Sequence, residues 1–291
     1  MEESDIVSSD KEAKLYIVAT PIGNLKDITI RALEILKEVH IVYAEDTRNS
    51  KTLFNHYEIS TPLISYHQHN EQSRIQEIIH HLQKGQDIAL ISDAGTPLIN
   101  DPGSVLVHSV IQEGFDVVSI PGASAFLTAL VASGLPTHPF LFYGFLPAKK
   151  KEKLEVLNTL KTSPNTLIFY EAPHRIEATI NDLKETFVQR NVVIGRELTK
   201  KFESYYRGDL ESIKIDFPLK GEFVIILEGF IKDEEIYSDT DLIDHIELCI
   251  QDGYSEMDAI KLVAKSRKLK KNVVYMTYKT HKKHFMQNEE E

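Results

Sequence analysis

Ile88-Ala89-Leu90-Ile91-Ser92-Asp93-Ala94-Gly95-Thr96-Pro97-Leu98-Ile99-Asn100-Asp101-Pro102-Gly103 reads as a short apolar strand running straight into a loop of small, turn-forming and acidic residues. Four apolar residues bounded by turn chemistry suit a strand buried on both faces. The same grammar recurs upstream and downstream. Residues 15–19 lead into Thr20-Pro21-Ile22-Gly23-Asn24, residues 41–43 into Glu45-Asp46-Thr47-Arg48, and residues 117–120 into Pro121-Gly122-Ala123-Ser124-Ala125. Between these runs, apolar residues fall at helical spacing, as at Ile30, Leu33 and Leu36 and at Ile75, Ile78, Ile79 and Leu82. Strands alternating with helices predict βαβ units, hence an α/β fold with a parallel sheet. In such sheets ligands bind at the carboxyl ends of the strands, so four loops ending successive strands point to one pocket. Ordinary turn chemistry accounts for any single such loop, but less well for four in succession.

This first α/β region spans about residues 14–122. A second, over 123–231, carries strand candidates at Phe140–Phe145, 166–170, 192–195 and 222–228, with helices over Lys150–Leu160 and 174–186. The chain has 291 residues, 42% hydrophobic and 26% charged, which suits a globular protein of two domains plus an appendage. Residues 1–13 are acidic and polar and are expected to form a disordered tail. With one cysteine, Cys249, no internal disulfide is possible. No apolar run reaches the roughly 20 residues of a membrane helix, and the acidic start is unlike a signal peptide, so a cytoplasmic protein without membrane contact is expected.

The net charge of −11 argues against a uniformly basic nucleic-acid binder. The distribution says more. After an acidic linker over 231–240, three short helices are predicted over 242–250, 257–266 and 273–282, resembling a helix-turn-helix module. From Lys261 to His284 the chain has nine lysines or arginines and no acid. That run, with Lys265, Arg267, Lys268, Lys270 and Lys271 at its turn, predicts a nucleic-acid-binding module at 240–284; a merely solvated appendage is the competing reading. A second basic cluster, Lys149-Lys150-Lys151, opens a predicted helix.

The pocket's ligand is narrowed by what is missing. There is no G-x-G-x-x-G after the first strand and no G-x-x-x-x-G-K-[ST], which disfavours dinucleotide-binding and P-loop folds. The acidic-glycine signature of the commonest methyltransferase fold is absent too. His67-Gln68-His69 and His281-Lys282-Lys283-His284 lack further ligands at telling spacing, so no metal site is expected. The residues alone stop at a small polar ligand between two α/β lobes.

Seven ordered motifs go further. The four loops above, with Gly144-Phe145-Leu146-Pro147, Tyr170-Glu171-Ala172-Pro173-His174-Arg175 and Arg196-Glu197-Leu198-Thr199-Lys200, closely resemble the tetrapyrrole methylase superfamily over about residues 14–231. The resemblance is to its branch that methylates the ribose 2′-hydroxyl of a decoding-centre cytidine in small-subunit ribosomal RNA, and the last three helices resemble that branch's extension. It implies a two-lobed fold, usually homodimeric, with S-adenosyl-L-methionine in the cleft between lobes. By position, the cofactor cradle would comprise Pro21, Gly23, Asp93, Ala94, Gly95, Thr96, Ile99, Ser124, Ala125 and Tyr170.

Methyl transfer to a hydroxyl needs oxygen, methyl carbon and sulfur roughly in line, and a positioned base helps by typically ~10²–10⁴-fold. Base candidates are Glu197 and Glu171, with Lys200 or Arg196 orienting the carboxylate; a structural ion-pair network is the alternative for all four. Arg48, His174, Arg175, Lys149 and Lys150 are candidates for holding the RNA, free or in the assembled 30S subunit. A tetrapyrrole C-methyltransferase is the runner-up, although its substrate needs no basic appendage. A non-enzymatic helix-turn-helix regulator is the third reading, and it leaves the strand-end loops without a role.

Overall fold

The computed structural model describes residues 13–187, 189–230, 242–267 and 269–288. The expected tail (Ala13 apart), the linker over 231–240 and Lys268 lie outside the described residues.

The first five strands are β1 (Lys14–Val18), β2 (Ile41–Ala44), β3 (Leu63–Ser65), β4 (Ile88–Ile91) and β5 (Asp116–Ile120). They form one sheet in the order β3-β2-β4-β1-β5, every pairing parallel. The crossovers are α1 (Ile30–Glu38), α2 (Thr47–His56), α3 (Glu71–Gln83) and α4 (Ser104–Gln112). Helices cover both faces, so the central strand β4 is buried at every residue, which explains its unbroken apolar run. One core gathers Leu15, Tyr43, Ile78, Ile88 and Leu106; the other gathers Val18, Leu36, Val42, Phe54 and Ala89. Side chains of Thr29 and Asp46 cap α1 and α2 by accepting the N–H groups of Ala32 and Arg48.

The second sheet is built from β6 (Phe140–Phe145), β7 (Thr166–Glu171), β8 (Asn191–Arg196), β9 (Ser204–Asp209) and β10 (Phe223–Leu227), in the order β6-β7-β10-β8-β9. Only β6 and β7 are parallel; β10 lies antiparallel between β7 and β8. The strand β9 is absent from the sequence reading because Ser204-Tyr205-Tyr206-Arg207-Gly208-Asp209 is a half-exposed edge with no apolar alternation. Helices α5 (Ala125–Ser133), α6 (Lys150–Leu160) and α7 (Ile176–Thr186) accompany this sheet. Ala129 and Leu130 of α5 pack on Ile168, Val193 and Val224, and Ile22, from the loop after β1, joins the same core. The described residues through Phe230 accordingly form one compact unit.

The C-terminal unit consists of α8 (Leu242–Gln251), α9 (Glu256–Ser266) and α10 (Lys271–Asn288). Its core is Ile246, Ala259, Ile260, Val263, Val274 and Tyr278. Ser255 caps α9 by accepting the Asp258 N–H, and the turn before α10 carries the basic residues. No helix among the described residues is long and apolar enough to cross a membrane.

Candidate functional site

The four strand-end loops of the first sheet are stitched into one rim by their own backbone and side chains. Thr20 and Gly95 exchange N–H···O bonds of 2.8 and 3.0 Å, joining the loops after β1 and β4. Thr96 Oγ1 donates to Ala123 O at 3.3 Å, adding the loop after β5. Asp93 accepts the Asp46 N–H at 3.0 Å and Asn49 Nδ2 at 2.8 Å, adding the loop after β2. The loop after β4 turns through left-handed backbone at Gly95, Leu98 and Asn100, with φ of 82°, 72° and 68°. Two non-glycine residues held there mark strain, which the cross-loop bonds sustain.

Between this rim and the second sheet lies a cavity of about 340 Å³. Asp93, Ala94, Gly95, Thr96, Ile99, Ser124, Ala125 and Tyr170, eight of the ten cradle candidates, line it, and so does Glu171. Pro21 and Gly23 line instead a second cavity of about 160 Å³, with Thr20, Leu25, Asn49 and Thr52; Asp93 is common to both. Sequence reasoning missed Ile22, Asn100, Asp101, Phe145, Ala172, Pro173, Glu222, Phe223 and Val224 as wall residues. Six of these stand in or beside the quoted motifs. Glu222, Phe223 and Val224 carried no signal, because they reach the cavity only through the insertion of β10 beside β7.

Where the lobes meet, glycine is required at Gly144. Its φ is 83°, and a Cβ there would overlap the Asn100 side chain from the opposite lobe. Gly144→Ala is expected to cost about 2 kcal/mol from strain alone, lowering Tm by roughly 4–8 °C in a calorimetric scan.

The cavity is electronegative. Asp93, Asp101, Glu171 and Glu222 line it, with no lysine or arginine among the described wall residues. Burial, with the nearby Asp93 charge, pushes the Asp101 carboxyl above the usual carboxylate range, against the Ser92 hydrogen bond that favours its ionised form. Glu45 is raised by burial and by the charges of Asp101 and Asp93. Burial pushes Tyr170 up to about 12, so its phenol stays protonated; its oxygen accepts the Phe126 N–H at 3.2 Å.

The remaining candidates take other places. The Glu171 carboxylate is fully buried among three donors. Arg196 is buried and donates to the carbonyls of Lys220 and Phe202 at 3.0 and 3.4 Å. Lys200 Nζ bridges Glu197 at 2.9 Å and Glu222 at 3.2 Å, and its aliphatic stem lies against Gly23. Burial opposes the Glu197 charge, but the bonds from Lys200 and the Glu222 N–H outweigh it and hold this carboxyl below the usual range. The Lys200 ammonium is discouraged by burial too, yet its two carboxylate partners raise it overall.

Arg48 is 87% exposed and forks onto Asp46, whose carboxyl this bond lowers to about 2. His174 is exposed next to wall residue Pro173. Arg175 points into the protein, at the carbonyls of Leu146 and Pro147. Lys149 pairs with Glu152, and Lys150 with Asp182 and Glu185. In the C-terminal unit Lys265, Lys270 and Lys271 are exposed, whereas Arg267 is partly buried and bonds to His245 Nδ1. Lys279 and Lys282 both pair with Glu256, so part of the basic run is neutralised by an acid that precedes it in the chain.

The profile of the family described as Tetrapyrrole (Corrin/Porphyrin) Methylases matches residues 14–214. The chain belongs to the tetrapyrrole methylase family. Among its relatives, the Ribosomal RNA small subunit methyltransferase I of Halalkalibacterium halodurans is 46% identical over 276 residues, 92% of this chain and 96% of that protein. The protein of the same name from Bacillus subtilis is 45% identical, over 91% of this chain and 93% of its own length. The fold is also that of uroporphyrin-III C-methyltransferase from Thermus thermophilus, solved in complex with S-adenosylhomocysteine, at 18% identity and a TM-score of 0.51 over 74% of this chain and 97% of that one. In this tetrapyrrole methylase the family match covers the first sheet and β6 to β9 of the second, and stops before β10 and the helical C-terminal unit.

Proposed function

We propose that this methyltransferase transfers the methyl group of S-adenosyl-L-methionine to the ribose 2′-hydroxyl of a cytidine in small-subunit ribosomal RNA. The carrying observation is the cavity itself: walls from two lobes that carry Asp93 and Asp101, with no lysine or arginine among the described wall residues, suit a donor with a sulfonium and an ammonium charge. Small residues at Ala94, Gly95 and Ala125 let backbone approach the donor, while Phe145 and Tyr170 supply flat apolar surface. The donor fits these walls by charge and by size class. When bound it supplies an activated methyl group with a neutral thioether as leaving group.

The chain's own work is then to place the acceptor oxygen and take its proton. The second cavity shares Asp93 with the first, so a nucleotide held against Pro21, Gly23 and Asn49 lies next to the donor. Asp101, on the wall of the donor cavity together with Asp93, suits proton acceptance better than the two carboxylates expected from sequence. Its raised proton affinity contrasts with the depressed carboxyl of Glu197 and the fully bonded one of Glu171. Glu197 and Lys200 instead fasten the turn after β8 to the loop after β1. The RNA is held by Arg48, His174 and the exposed lysines of the C-terminal unit, with Lys149 and Lys150 as outlying contacts. The enzyme works in the cytoplasm as a homodimer, whose second copy covers exposed apolar residues of α5 and β6 such as Leu127, Val131 and Phe140.

The runner-up, carbon methylation of a tetrapyrrole, is disfavoured by the ribosomal RNA methyltransferase relatives at 45–46% identity and by the basic C-terminal turn. A non-enzymatic regulator leaves the stitched cavity without a role. The test is to incubate unmethylated 30S subunits and free small-subunit RNA with labelled donor and to map the label by mass spectrometry of nuclease fragments. Label on one cytidine, at a linkage resistant to alkaline hydrolysis, is expected. Label on a base, or on a tetrapyrrole offered in competition, would refute the assignment.

A further inference from the structure

Glu171 sits in the cavity wall, yet its carboxylate is fully buried and both its oxygens are engaged by the protein. One oxygen accepts the Ala172 N–H at 2.8 Å and forms an ion pair with Arg175 Nε at 3.2 Å, and the other accepts Thr179 Oγ1 at 2.5 Å. Thr179 in turn accepts from Lys153 Nζ at 3.2 Å, and Lys153 is paired at 2.6 Å with Asp182, both side chains almost wholly buried. A buried carboxylate with this many charged and neutral donors is locked in place.

The lock has a purpose that Arg175 reveals. Its guanidinium also donates from Nη2 to the carbonyls of Leu146 at 2.8 Å and Pro147 at 3.2 Å. Those carbonyls belong to the turn between β6 and α6. Leu146 is anchored in the core of the second lobe, and the residue before it, Phe145, projects into the cavity wall. There its ring meets Tyr170 edge-on, with centroids 5.5 Å apart. At the other end of this short segment, the left-handed Gly144 is seated against Asn100 of the opposite lobe. The turn is therefore pinned from two sides.

We infer that Glu171 and Arg175 are positioning residues: the pair clamps the 144–147 turn so that Phe145 closes one wall of the donor cavity. Neither takes the acceptor's proton nor touches RNA. This rests on the methyltransferase reading, but its failure is separable. Binding of S-adenosylhomocysteine to the wild-type chain tests that reading, and the change caused by the variants tests the clamp.

The experiment compares wild type, Glu171→Gln, Arg175→Lys, Phe145→Ala and the Arg175→Lys/Phe145→Ala double variant. Calorimetry gives Kd for S-adenosylhomocysteine, steady-state kinetics on 30S subunits give KM and kcat, and thermal unfolding checks folding. Each single variant is expected to raise Kd about tenfold or more. The KM for 30S subunits should stay within about twofold, and kcat at saturating donor within about threefold. The double variant should bind little worse than Phe145→Ala alone, because both changes release the same wall. The clamp is overturned if Glu171→Gln lowers kcat a hundredfold at unchanged Kd, which marks a base. It is equally overturned if Arg175→Lys raises the KM for 30S subunits at unchanged Kd, which marks an RNA contact. Should Arg175→Lys fail to fold, Phe145→Ala, a surface-lining truncation, still decides: unchanged Kd there removes the wall that the clamp is said to hold.

Discussion

Asp101→Asn is expected to lower kcat by about a hundredfold or more, at the lower end of what general bases contribute, while affinity for S-adenosylhomocysteine changes only slightly. The variant keeps the size of the side chain and its hydrogen bond with Ser92, but removes the proton acceptor. The neutral thioether product has no sulfonium charge for Asp101 to attract, so its affinity isolates shape from charge. The pH profile gives a second reading. A base must be ionised to act, so activity rises with pH as Asp101 loses its proton. Burial and the Asp93 charge disfavour the ionised form and move that rise above the usual aspartate pKa near 3.8. The acid limb of kcat/KM should therefore lie above that value in wild type and disappear in Asp101→Asn. Stopped assays from pH 4 to 9, with RNA held saturating, make the comparison. An unchanged rate in the variant would return the search to Glu197 or to solvent.

The second large effect concerns the C-terminal unit. Replacing Lys265, Lys270 and Lys271 together by Gln should weaken binding to small-subunit RNA about a hundredfold at 0.15 M salt and reduce the slope of log K against log salt by about 2–3 units. Three exposed ammonium groups releasing counterions from three phosphates account for both numbers. Affinity for S-adenosylhomocysteine should be unaltered. The same changes at Lys279 and Lys282 should do much less, because both are already paired with Glu256. Fluorescence anisotropy across a salt series distinguishes the two sets. Equal effects from the two would mean that the helical unit presents a diffuse charge rather than a defined face.

The lysine contrast shows where the sequence stopped being legible. The nine cations without an acid between Lys261 and His284 are a true local pattern. Their neutralisation by Glu256 is a tertiary fact, created when α10 folds back beside α9. The cavity divides in the same way. The turns at Asp93–Thr96 and Ser124–Ala125 follow parallel strands directly, so their convergence at one sheet edge comes from local grammar. Glu222, Phe223 and Val224 face the same space only because β10 inserts antiparallel between β7 and β8, a pairing across more than twenty residues that no local pattern announces. Glu171 and Arg175 are ambiguous in sequence for a related reason. A Glu and an Arg four residues apart near a strand end read equally well as chemistry or as a structural ion pair, and the carbonyls of Leu146 and Pro147 that Arg175 reaches come beside it only in the folded chain. Asp101 was visible throughout in the opening loop, but its raised proton affinity depends on Asp93 and on burial, both properties of the folded site.

The central claim is that the loops after β1, β2, β4 and β5, facing Tyr170, enclose the methyl donor. A crystal structure of the chain with S-adenosylhomocysteine tests this most directly. Ligand density is expected in the larger cavity, against Asp93–Thr96, Ala125 and Tyr170, with the sulfur towards the Asp93 wall shared with the smaller cavity. Density at any other surface, or a larger cavity that closes on itself while the ligand stays in solvent, would contradict it.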